Sequence, residues 1–313
     1  MARWWAILIG AAALATVPFL GDEVMIQYGI NTLLLAVLAQ SWNILGGFTG
    51  YASFGNSTFY GLGTYGTAIA MAQFGLPFWS GLVLGAVLAM LCALLVGLPI
   101  LRLRGPYFAI ATLGLSAALS ALIANLDIAG RNIGLILPLT RNDLLFYEGS
   151  LGLLLAATVT VAWISTSRFG MGLIAIREDE DAAAVMGVNT TMYKIIALVL
   201  SALFTAIAGG IHAYWITFID PASAFDTTLN VRMVIMAVFG GPGTVLGPIA
   251  GAFILSTVYD VLSNSISTAA ALLFGVVIIL AVIFMPKGLV DLGWGFRRVG
   301  WRYFLQTVRQ YRL

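Results

Sequence analysis

Apolar residues run along this chain in blocks of about twenty, separated by short stretches rich in glycine, proline or charge. A helix that crosses a bilayer needs about 20 mostly apolar residues, because its backbone must satisfy its own hydrogen bonds inside hydrocarbon. Residues 4–20, 27–45, 78–101, 107–125, 151–165, 192–215 and 267–285 meet that requirement. The first block follows Arg3 and continues past the length of a signal peptide, so it reads as a spanning helix. Residues 49–74 hold many glycines and hydroxyls but are still long enough to cross. Residues 229–263 are too long for one straight helix and short for two. Gly240, Gly241, Pro242 and Gly243 interrupt them, which predicts a short inward segment, a turn and an outward helix. Gly46 and Gly47 form a second expected helix break, after the block at 27–45. The pattern predicts an all-α polytopic membrane protein of about ten transmembrane helices, one pair of them broken by glycine and proline.

Composition agrees with a lipid-facing surface. Of 313 residues, 61% are hydrophobic and 9% charged, against about 25% charged in soluble domains, and the mean hydropathy is +1.00. With ten crossings and an inside N-terminus, the inner side receives Arg3, Arg102, Arg104, Arg168, Arg177, Lys194, Lys287 and the arginines of the tail. Arg131, Arg141 and Arg232 stay outside, as the positive-inside rule requires. Both termini are therefore expected on the cytoplasmic side. The chain divides into a transmembrane domain over 1–290, with a cytoplasmic loop expected at 166–194, and a basic aromatic tail over 291–313. That tail alternates Trp, Phe and Tyr with Arg, which suits the lipid headgroup layer.

The loop at 166–194 is the most unusual segment. It carries Arg177, Glu178, Asp179, Glu180 and Asp181, then Ala182, Ala183 and Ala184, then Gly187. Acidic residues ahead of an alanine run suit a helix N-terminus, and Gly187 is placed as a stop, so a helix is expected from Arg177 to Gly187. Ala182, Ala183 and Gly187 are small enough to let another protein surface approach closely.

These residues carry a resemblance. Phe169, Gly170, Leu173, Ala175 through Asp179, Ala182, Ala183 and Gly187 resemble the cytoplasmic coupling loop of permease subunits in bacterial ABC importers for branched-chain amino acids. The stretch from Trp42 to Gly55, the run Arg104-Gly105-Pro106-Tyr107-Phe108-Ala109-Ile110, and Gly240 to Thr244 followed by Gly247 and Pro248 extend the likeness over roughly residues 30–290. The Arg-Gly-Pro-Tyr-Phe-Ala-Ile run resembles the M-type of the two paired permeases. Met171 stands where the family often has arginine, Asn56 where histidine is frequent, and Ala129 to Gly134 replace a more usual Thr-Gly-Gly-Ser-Asn-Gly. The resemblance implies a bacterial inner-membrane importer subunit that pairs with a second permease and two cytoplasmic ATPase subunits. ATP and Mg would be bound by those ATPases, and a periplasmic or extracellular binding protein would deliver the solute. It also implies that Arg177, Glu178, Asp179, Ala182, Ala183 and Gly187 couple to the ATPase.

The residues themselves exclude other classes. No phosphate-binding Gly-x-x-x-x-Gly-Lys-Ser/Thr loop is present, and no Ser/His/Asp or metal-spaced cluster appears, so neither ATP hydrolysis nor other catalysis is expected of this chain. Cys92 and His212 each stand alone in apolar surroundings and read as structural. Nothing in the charge pattern suits nucleic acid. Uncharged polar residues inside the spans remain: Gln40, Asn43, Ser53, Asn56, Ser57 and Tyr60. Such groups are costly against lipid and belong on a translocation path or between helices. The scarcity of full charges suits a neutral or zwitterionic solute. A stand-alone channel or secondary transporter, or an importer of urea, amides or small organic acids, is the alternative reading.

Overall fold

The computed structural model describes residues 22–140 and 142–265, together with Gly10, Leu14, Ala15, Thr16, Pro18, Gly275, Gly288 and Leu289. The expected spans at 4–20 and 267–285 fall almost wholly, and the tail at 291–313 wholly, outside the described residues.

Helix α1, Glu23–Trp42, is the centre of the bundle. Every residue from Thr32 to Thr49 is buried, as expected of a helix that is apolar all round. It continues as a π-helical turn, Asn43–Gly47, and the chain leaves helical geometry only at Gly50, where φ is +75°. This corrects the expected break at Gly46 and Gly47, because both glycines lie inside the widened turn. Their role is steric. A Cβ at Gly47 would lie 1.9 Å from Asn43 Oδ1, and one at Gly46 2.5 Å from the Trp42 ring.

Residues 50–55 are not helical, so the span expected over 49–74 shortens to α2, Asn56–Ala72. Irregular backbone at membrane depth is tolerated only where protein supplies its hydrogen bonds, and here it does. Thr112 Oγ1 accepts from Phe54 N at 3.1 Å, Trp42 Nε1 donates to Ser53 O at 2.8 Å, and Asn230 Nδ2 donates to Phe54 O at 2.6 Å. Helix α3, Phe78–Ile100, and α4, Pro106–Ala124, follow. The buried residues of α3 are all small: Gly81, Gly85, Ala86, Ala89, Ala93 and Gly97. Its opposite face exposes large apolar residues such as Val83 and Leu95, the arrangement of a helix packed on one side and bathed in lipid on the other.

The connections that follow α4 and α8 share one short antiparallel bridge, a departure from a purely α fold. Strand β1, Leu135–Ile136, pairs with β2, Phe218–Ile219, in the register Leu135 to Ile219. Helix α5, Asp143–Thr166, starts eight residues before the expected 151 and is capped by Asn142, whose side chain accepts from Leu145 N at 3.2 Å. Then come α6, Arg168–Glu178, α7, Glu180–Val185, and the long α8, Thr190–Ile216. Helices α2, α3 and α8 pack most extensively, and glycine makes this possible. A Cβ at Gly63 would lie 2.0 Å from Ala206 O, and one at Gly209 2.3 Å from Tyr60 O.

After the short α9, Pro221–Ala224, the block at 229–263 divides into α10, Thr227–Gly240, and α11, Gly247–Ser265. These two helices lie against each other and against α1. Among the described residues, six helices are long and apolar enough to cross a membrane: Glu23–Gly47, Phe78–Ile100, Pro106–Ala124, Asp143–Thr166, Thr190–Ile216 and Pro221–Gly240.

Candidate functional site

The segment between α5 and α8 folds as two helices, where one was expected from Arg177 to Gly187. Asp179 is extended, with φ −160° and ψ 112°, and its Oδ1 accepts from Asp181 N and Ala182 N at 2.9 Å each. Asp179 therefore ends α6 and caps α7 in one residue. Gly187, at φ +89°, closes α7, and Val188 N donates to Ala183 O at 3.0 Å. Ala182 and Gly187 are exposed, but Ala183 is turned inwards and 4% exposed, so its small size serves packing within the chain. The most exposed apolar side chains at the tip are Val185 and Met186, at 88% and 83%.

Helix α6 is held against the ends of its neighbours. Ser167 Oγ accepts from Gly170 N at 3.1 Å, and the Phe169 ring stacks between Trp163 and Tyr193. A Cβ at Gly170 would lie 1.8 Å from the Ile164 carbonyl oxygen. Backbone cannot retreat as a side chain can, so Gly170→Ala is expected to destabilise the docked loop by about 3 kcal/mol. Limited proteolysis of purified protein would read this as earlier cleavage within 167–189; an unchanged cleavage pattern would contradict the packing described.

A charged cluster ties α7 to the membrane helices. Lys194, near the start of α8, is 2% exposed, and its Nζ donates to Glu180 Oε1 at 2.6 Å, Leu101 O at 3.0 Å and Tyr51 Oη at 3.1 Å. Tyr51 in turn donates to the other Glu180 oxygen. Arg104 grips Asp181 with two bonds of 2.9 and 2.8 Å and lies 3.9 Å from Glu180. Burial pushes the Glu180 carboxyl up, but hydrogen bonds from Lys194 and Tyr51 and the nearby positive charges outweigh it and hold it below its ordinary value. Because the folded value is the lower one, the cluster's stabilisation is complete above the unfolded carboxyl value. It fades as pH falls through the folded value.

Arg177 makes the second tie. Its Nη1 donates to Gly47 O at 3.1 Å, inside the π-helical turn, and its side-chain stem packs on Gly50. The same Nη1 borders Gly243, where a Cβ would lie 3.1 Å away. The turn after α10 is itself fastened to α1. Asn43 Nδ2 donates to Thr244 O at 2.9 Å, Gly243 N donates to Asn43 Oδ1 at 2.7 Å, and Gln40 Nε2 donates to Val245 O at 2.9 Å. Arg177, Gly47, Asn43 and Gly243 thus form one continuous contact between the loop and both irregular points of the helix framework.

The candidate path residues are deeply buried: Gln40, Asn43, Ser53, Asn56 and Ser57 at 0–1% exposure and Tyr60 at 5%. Gln40 and Asn43 hold the Gly-Pro turn. Asn56 Nδ2 donates to Ser201 Oγ at 3.1 Å, and Ser57 joins Ser116 and Asn230. Ser53 Oγ accepts from Gly55 N, and the Tyr60 ring lies 5.7 Å from that of His212. The cavity touching Ser53 holds about 10 Å³, hardly a water's worth. Glu178 is exposed and, among the described residues, pairs with Arg177 at 3.4 Å.

Sequence reasoning passed over Tyr51, Arg104, Glu180, Asp181 and Lys194 as a unit. One signal was present, since Lys194 is one of two lysines and sits just inside an apolar span. Such a charge needs a partner, and the four-acid loop just upstream supplies it.

A family model described as the permease component of branched-chain amino acid transport systems matches residues 24–283. Over 307 residues, covering 88% of this chain and 72% of the relative, the chain is 26% identical to the high-affinity branched-chain amino acid transport system permease protein LivM of Salmonella typhimurium. LivM of Escherichia coli is 25% identical over the same shares. The corresponding LivH protein of Salmonella typhimurium is 28% identical over 137 residues, 44% of each chain. No solved structure matches.

Proposed function

Since the chain belongs to the family of branched-chain amino acid transport permeases, we propose that it is the M-type membrane subunit of an ATP-driven ABC importer for branched-chain or related small amino acids. Its working partners are a second permease chain, two cytoplasmic ATPase subunits that bind ATP and Mg, and a periplasmic binding protein. The chain crosses the inner membrane about ten times, with both termini in the cytoplasm.

The observation that carries the reading is the junction of α6 and α7 with the membrane helices. Closure of the ATPase pair presses on the exposed tip at Val185 and Met186. Short helices cannot absorb that push, because Glu180 and Asp181 are bonded to Lys194 on α8 and to Arg104 between α3 and α4. The push therefore reaches α8 and the α3–α4 corner directly. Through Arg177 it also reaches the π-helical turn and the Gly240–Gly243 turn. Both are irregular backbone, able to rearrange at lower cost than a continuous helix. Their displacement would release Gln40, Asn43, Asn56 and Ser57 from their present partners and turn them towards a passing solute, giving alternating access.

Uptake of labelled leucine, isoleucine and valine in cells lacking this gene, with and without plasmid copies, tests the reading. Saturable uptake is expected only when both this chain and its ATPase are present. Restoration of urea, amide or organic-acid uptake instead would overturn the amino-acid assignment. Uptake that survives removal of the ATPase would replace the importer with a self-contained carrier.

A further inference from the structure

A second polar constellation lies on the same helices, remote from the coupling junction. Arg232 on α10 and Asp260 on α11 line one notch of about 30 Å³, with Asn31 of α1 and with Ser256 and Tyr259 of α11. The Arg232 guanidinium lies 5.0 Å from the centre of the Tyr259 ring, which steadies it by cation–π attraction. Arg232 stands eight residues, about 12 Å, before the end of α10, and Asp260 thirteen residues, about 20 Å, after the start of α11. The turn that joins these ends touches Arg177 of the cytoplasmic loop, so the notch lies on the side of the bundle away from that loop.

The two charges share the notch without closing an ion pair of their own; the ion pairs found among the described residues lie elsewhere. Arg232 also acts on Asp260 electrostatically, and opposed charges that line one polar hollow suit a ligand that carries both signs. Asp260 also borders a wider groove of about 410 Å³ between α1, α5 and α11. Its walls there include Leu33, Phe253 and Val261, with Thr257 and Asn264 as polar neighbours.

On the permease reading above, we infer that Arg232 and Asp260 form an acceptance site for the zwitterionic head of an α-amino acid, whose apolar side chain lies in the adjoining groove. The guanidinium takes the carboxylate through parallel N–H donors, and the Asp260 carboxylate takes the ammonium. Asn31 supplies a further hydrogen bond, and Ser256, whose hydroxyl already donates to Thr32 and Phe253, can accept one. The notch as it stands holds about two waters, so the head group displaces them and reaches the two charges from the groove side of Asp260, where its side chain stays. A neutral amide or urea engages neither charge as an ion, and an organic acid leaves Asp260 without a partner, so the site discriminates by charge pattern.

The test uses the native complex purified through a tag on this chain, in nanodiscs and without binding protein, with labelled leucine as probe. Saturable leucine binding is expected, displaced by leucine and at least tenfold less well by 4-methylpentanoate, which lacks the amine. Asp260→Asn and Arg232→Gln should each weaken leucine binding tenfold or more, and Asp260→Asn should erase the preference over 4-methylpentanoate. Arg232→Lys, which keeps the charge and loses the paired donors, should fall between. Co-purification of the partner subunits shows that each variant has folded. ATP-driven leucine uptake by the same preparation, with binding protein restored, separates the two readings. Uptake with leucine binding absent, or indifferent to all three substitutions, overturns the notch alone, and loss of both uptake and binding in the unaltered complex overturns both.

Discussion

Replacing Lys194 with methionine is expected to destabilise the protein by about 3–5 kcal/mol, the cost of leaving a buried ionised partner without its counter-charge. The Lys194 side chain is 3% exposed and that of Glu180 14%. Methionine keeps the volume and removes all three Nζ bonds, to Glu180, Tyr51 and Leu101. Arg104, 3.9 Å from Glu180 and already engaged with Asp181, cannot make up the loss. Thermal unfolding of the purified protein would show a lowered midpoint, and the 179–189 segment would become open to protease. Combining Lys194→Met with Glu180→Gln should recover more than half of the loss, because no buried charge is then left over. A single variant as stable as the parent would show that the cluster does not hold α7 in place.

The second large effect is functional and should leave stability untouched. Val185 and Met186, at the end of α7, are 88% and 83% exposed. On the importer reading this tip faces the cytoplasm, where apolar side chains so exposed suit a partner's groove. Changing both to aspartate is expected to abolish recovery of the ATPase with the tagged chain and to lower uptake at least a hundredfold. The unfolding midpoint should stay within the small range of ordinary surface substitutions, about 0.5 kcal/mol. A bulky residue at Ala183 would give a different phenotype. With that side chain 4% exposed, it would act by prising α7 from its bed rather than by blocking a partner.

Much of this architecture is legible in the sequence because hydrocarbon imposes so few solutions. Long apolar blocks must be helices, and a Gly-Gly-Pro-Gly run must interrupt one, as happens between α10 and α11. The late start of α2 at Asn56 is harder to foresee. The non-helical stretch before it survives only because Thr112, Trp42 and Asn230, distant in sequence, supply its hydrogen bonds. The π-helical turn at Asn43–Gly47 is invisible to periodicity for a similar reason, since it depends on Gly243 and Arg177 packing against it. Four consecutive acids read equally well as one helix start or as a cap between two helices, and the extended backbone at Asp179 selects the second. Gln40 and Asn43 illustrate the limit for function. A polar group inside a span can face a solute or another helix, and only partners some two hundred residues away show that both hold the Gly-Pro turn here.

The most direct test of the importer reading is to purify the tagged chain from gently solubilised native membranes and identify what comes with it. Recovery of a second hydrophobic permease together with a nucleotide-binding subunit is expected, and the Val185→Asp/Met186→Asp variant should retain the permease while losing the ATPase. Recovery of this chain alone, still able to carry solute when reconstituted without an ATPase, would contradict the account.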